Sequence, residues 1–176
     1  MTYEIASNYE KFVKRLAPQV ANLLGVKNRK ITVLLADTVV FPILGITSGR
    51  TIFLNAQWFV EHSNDYSTIV HEIAHAVMNI QVALETEDWL IEGLADYARE
   101  VLGYQSITGS SPDYDPERLF EGYEPTAHFF LWLRSKHGED VIKDMSKRIS
   151  GGKAFDVEQL KRWLQEYKAE NERNRN

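Results

Sequence analysis

The chain has no cysteine in its 176 residues, which excludes disulfide bridges and thiolate zinc sites together. Any metal it binds must be held by histidine and carboxylate. No apolar run approaches the ~20 residues that a membrane-spanning helix needs. The first residues, Met1-Thr2-Tyr3-Glu4-Ile5, lack the basic and apolar stretches of a signal peptide, so the expectation is a cytoplasmic protein or the mature form of a secreted one. Basic charge is sparse as well. Lys27, Asn28, Arg29 and Lys30 form the one basic cluster and read as a loop entering a strand. With a net charge of −5, this argues against nucleic acid as a partner.

What is present is the composition of an ordinary globular domain, 44% hydrophobic and 26% charged, long enough to bury roughly two-thirds of its unfolded surface. The expected organisation is a single domain over residues 1–170 followed by a polar tail, 171–176, with no internal repeat. From Ser7 to Leu24, apolar positions at Phe12, Val13, Leu16, Val20, Leu23 and Leu24 predict an amphipathic helix, kinked or split near Pro18 and stopped by Gly25. Ile31 to Leu35 reads as a buried strand. Val39 to Ile46 and Thr51 to Leu54 flank Ser48-Gly49-Arg50, which reads as a hairpin turn.

From Ser67 the period becomes helical, with Asp65 or Ser67 as the cap. A second helix begins near Asp88. Gly103 to Gly122 reads as an irregular loop. Helices follow over Pro125 to Lys136 and Glu139 to Ile149, and a last one carries Val157 to Tyr167 before a tail that frays from Glu170. The fold class is α+β: a small, mostly antiparallel sheet followed by a helical half.

His71-Glu72-Ile73-Ala74-His75 carries the most chemistry. On a helix, positions four apart share a face, so both imidazoles can bind one metal ion while Glu72 takes a proton from a metal-activated water. A catalytic zinc takes three protein ligands and leaves one position open. Glu92 on the next helix is the candidate third ligand, with Asp88 and Asp96 as alternatives. Asp96, four residues beyond Glu92, would hydrogen-bond the distal nitrogen of His71 or His75 and fix that ring's aim. Trp89 reads as core, and Gly93 as a position of close helix packing behind the metal.

H-E-x-x-H followed by E-x-x-x-D resembles the gluzincin metallopeptidases. More closely, HEIAHAV, DWLIEGLADYARE and GYEPTAHFFLWLRSKHG resemble the peptidase MA-like families, including the basic secretory proteins of plants and their bacterial relatives. The similarity spans Ile31 to Tyr167 and is strongest from His71 to Arg99. Two features depart from the plant proteins: this chain is acidic, and His128 stands where they tend to carry arginine.

The resemblance implies a zincin-like single domain holding one Zn(2+) per chain through His71, His75 and Glu92, with the metal site in its helical half. The implied activity is that of a zinc-dependent endopeptidase acting on a peptide or protein substrate, with Glu72 as general base and then acid. Tyr123 resembles the tyrosine that several gluzincins place over the metal, which makes it the first choice to stabilise the oxyanion; His128 is the second. Tyr97 and Tyr104 are outside candidates, and His62 and His137 read as surface residues. Gluzincins hold the peptide backbone on an exposed edge strand, here sought between Val39 and Ser48. Two alternatives stand beside this reading. One is a catalytically inactive, zinc-holding binding module on a peptidase scaffold; the other is a metal-dependent hydrolase of a non-peptide amide.

Overall fold

The computed structural model describes residues 2–80, 88–105, 116–153 and 156–175. The chain opens with helix α1, Thr2–Leu23, whose Phe12, Val13, Leu16 and Val20 are buried. Burying each such side chain contributes about 1.5–3 kcal/mol. The helix runs through Pro18 without a break, contrary to the expected split. Pro18 sits on the exposed face, where water can satisfy the carbonyl that the missing N–H leaves free.

Three strands follow: β1, Thr32–Ala36; β2, Gly45–Ser48; and β3, Thr51–Asn55. Their order is β1-β3-β2. β2 and β3 are the expected hairpin, paired antiparallel from Ser48↔Thr51 to Gly45↔Leu54. β1 and β3 are parallel, so the sheet is mixed rather than mostly antiparallel. The reason is the path of the chain. β2 lies one strand-width away from β1, and β3 returns into the gap, running the same way as β1. β1 is therefore an edge strand, half-exposed along its length, and not the buried strand that its apolar run suggests. Residues 39–44, expected to be extended, form turns closed by Ile43 N–H donating to Val40 O at 3.0 Å, and β2 starts only at Gly45.

Short helix α2, Ala56–Glu61, leads to α3, Tyr66–Met78, capped by Asp65, whose carboxylate accepts from Thr68 N–H. Among the two candidate caps, Asp65 is the one used. α3 is buried nearly all round, between α1, β2 and α4, Asp88–Val101. Residues 106–115 of the expected irregular loop lie outside the described residues, while Pro116–Glu121 forms a 3-10 helix.

α5 spans Tyr123–His137, which sets Pro125 in its first turn, where a missing N–H leaves no bond unmade. α6, Glu139–Ser150, and α7, Val157–Arg175, complete the fold. α7 continues past Glu170, where a frayed tail was expected. Glu170 accepts from Trp132 Nε1 at 3.1 Å and pairs with Lys136, and Tyr167 packs on Phe129 and Trp132. Among the described residues no helix is long and apolar enough to cross a membrane.

Candidate metal centre

Two helices and one strand build the centre. α3 presents His71 and His75 one turn apart, and α4 presents Glu92 and Asp96 one turn apart. Close packing of α4 on α5 makes this possible: Gly93 faces Thr126, and a Cβ there would collide with the threonine side chain. Trp89, beside it, is half-buried and packs edge-on against Phe120.

Three side chains converge on one point. His71 Nε2 lies 2.9 Å from His75 Nε2 and 3.1 Å from Glu92 Oε2, and His75 Nε2 lies 3.5 Å from Glu92 Oε2. Tetrahedral coordination with bonds of about 2.0–2.1 Å puts ligand atoms ~3.3 Å apart, so the triangle has the size that a zinc ion needs. The three are also the group whose ligand atoms can share one ion among the described residues.

The electrostatics point the same way. Burial pushes the His71 imidazole down, but its hydrogen bonds to Asp96 and Glu92 and the charges of Asp96 and Glu72 outweigh it and raise the pKa to about 9. Burial pushes Glu92 up, but His71 and His75 hold it well below the usual carboxylate range. A field that favours a proton on a nitrogen favours a metal cation there too. The donor set, one carboxylate and two imidazoles, suits zinc without cysteine.

Around this triangle the structure gathers the other expected residues. Asp96, 1% exposed, lies 2.7 Å from His71 Nδ1. In the neutral ring, that bond keeps the proton on Nδ1 and leaves the Nε2 lone pair facing the centre. Glu72 is buried beside the histidines. Tyr123 stacks on His71, with ring centroids 5.9 Å apart and planes at 14°. Its backbone is left-handed, φ 48°, a conformation that costs a non-glycine residue about 1 kcal/mol or more. Burial, then the charges of Glu92 and Asp96, push its hydroxyl up, so it stays a hydrogen-bond donor at neutral pH. Gly122, φ 80°, brings the backbone against Glu92, where a Cβ would stand 3.1 Å from the Glu92 Cβ.

These groups open on a cavity of about 280 Å³, lined also by Ile46, Thr47, Gly49, Ile80, Asp88 and Ile91. Three other candidates, and one histidine read as a surface residue, lie elsewhere. His128 is not on the cleft lining and faces Glu124, one turn back, at 3.9 Å. Tyr97 is buried in the core against Phe130, and Tyr104 packs edge-on to Phe12. His62 stacks on Trp58.

Two contributors were not read from the sequence. Arg99 pairs with Asp96 at 2.6 Å and donates to Ser67; its position three residues after Asp96 was the available signal. Thr47 donates to Glu72 Oε2 at 2.7 Å, a cross-element contact that no local pattern announces.

A family model described as "BSP: Peptidase of plants and bacteria" matches residues 6–162. No curated protein and no solved structure matches the chain.

Proposed function

The chain belongs to the BSP family, the peptidases of plants and bacteria, and from that premise we propose that it is a zinc-dependent endopeptidase of the gluzincin type, zincin-like in fold. One zinc ion per chain would be held by His71, His75 and Glu92. The observation that carries this reading is the triangle of their ligand atoms, with sides of 2.9, 3.1 and 3.5 Å.

When bound, zinc supplies a Lewis acid that polarises a carbonyl and brings the pKa of water toward neutrality. The chain's own groups do the rest. Asp96 holds His71 in the tautomer that leaves Nε2 free to coordinate. Glu72 takes a proton from the attacking water and returns it to the leaving nitrogen, as base and then acid. Tyr123, neutral at working pH, donates to the oxyanion that develops on the former carbonyl.

The substrate is an extended peptide. β2 is an edge strand whose Ile46 and Thr47 line the cleft. A peptide added along that edge would present a bond to the centre by main-chain pairing. Among the described residues, Asp88 is the one carboxylate on the cleft lining beyond Glu72 and Glu92.

The test is Glu72→Gln. The variant should keep about one zinc per chain and lose hydrolysis of a quenched peptide library by at least ~100-fold. Full hydrolysis by a zinc-loaded Glu72→Gln enzyme would overturn the reading.

A further inference from the structure

β2 turns two kinds of side chain in opposite directions. Ile46 and Ser48 are exposed, while Gly45 and Thr47 face inward onto α3. Both inward residues touch Glu72. Thr47 Oγ1 lies 2.7 Å from Glu72 Oε2 and 3.2 Å from the main-chain oxygen of the same residue. At Gly45, an added Cβ would stand 2.9 Å from Glu72 Cγ and 3.0 Å from Oε1. A carboxylate only 6% exposed is thus gripped by one strand, with a hydroxyl on one oxygen and bare backbone beside the other.

We propose that Thr47 is a positioning residue for Glu72, its hydroxyl donating to Oε2 and holding the carboxylate in its orientation beside His71 and His75. This rests on Glu72 being the base. A threonine hydroxyl has one hydrogen and two lone pairs, so it serves one acceptor at a time. Of the two acceptors in reach, the carboxylate is nearer and charged, and charge-assisted bonds are roughly twice as strong as neutral ones.

Because Thr47 sits on the strand proposed to receive the peptide, substrate pairing and alignment of the base share one element.

Thr47→Val removes the hydroxyl at nearly constant shape. It should lower kcat by about tenfold to a hundredfold, leaving KM and zinc content unchanged, and Thr47→Ser should recover most of the loss. A second readout needs neither metal nor substrate. In metal-free protein, the shift in urea midpoint caused by Thr47→Val should largely vanish in a Glu72→Met background. A Thr47→Val enzyme with wild-type kcat, or additive urea shifts, overturns the proposal. Thr47→Ala carries the same expectations if the valine variant does not fold. Full activity of Glu72→Gln would remove the base and this role together. An inactive Glu72→Gln beside an unimpaired Thr47→Val removes this role alone.

Discussion

His71 Nδ1 lies 2.7 Å from Asp96 Oδ1, and the same oxygen of Asp96 lies 2.6 Å from Arg99 Nη2. One buried carboxylate therefore ties the histidine of α3 to α4 and is itself held by a guanidinium one turn along. A ring fixed in this way presents its other nitrogen in a single direction, which is what a preorganised ligand requires.

Asp96→Asn keeps the shape and removes the charge. It should weaken zinc binding by about 10- to 100-fold while the protein stays folded. Competition with a chelator of known affinity measures this, and an unchanged dissociation constant would mean that Asp96 serves packing alone.

Glu92→Ala removes the third corner of the triangle. Metal analysis of protein purified without chelators should fall from about one zinc per chain to a small fraction of that, with helical circular dichroism retained. Full stoichiometry in the variant would redirect attention to Asp88, the other carboxylate of α4 on the cleft.

Tyr123→Phe removes the hydroxyl proposed to meet the oxyanion. The expected outcome is a fall in kcat of roughly a hundredfold to a thousandfold, with KM and zinc content little changed. An equal loss in His128→Gln would contradict the separation of His128 from the cleft.

Tyr9 offers a prediction about stability rather than catalysis. Burial, with the neighbouring Tyr66 and Asp65, pushes its hydroxyl up to about 12 from an ordinary 10.0. The folded state holds that proton more tightly than the unfolded state does. The contribution is thus complete below pH 10 and is lost as pH rises toward 12. Urea midpoints should fall across that window in the wild type and fall less steeply in Tyr9→Phe. Parallel profiles for the two proteins would remove Tyr9 as the cause.

Much of the helical half was legible because a helix writes its contacts into local spacing. Positions 71 and 75, and 92 and 96, share a face whatever the rest of the chain does. The cap at Asp65 or Ser67, Gly93 as a point of close packing and the helices α3 and α4 follow from patterns a few residues long. The sheet was less legible. An apolar run such as Ile31 to Leu35 has the same composition in a central strand as in an edge strand. Its half-exposed place at the edge depends on β3 inserting between β1 and β2. Pro18 misled for a related reason: its effect on α1 depends on which face meets water, and that is a property of packing.

The sequence by itself determined the chemistry available: two imidazoles and a carboxylate base on one turn, a second acidic pair on the next helix, and no thiol to compete for metal. Tertiary structure alone decided which of those groups meet. It brought Glu92 within 3.5 Å of both histidines, buried Asp96 against His71, turned Tyr123 onto the centre and His128 away from it, and laid Thr47 on Glu72. These are contacts between residues 17 to 52 apart in the chain, and they exist only because burial of the shared core holds α3, α4, α5 and β2 together.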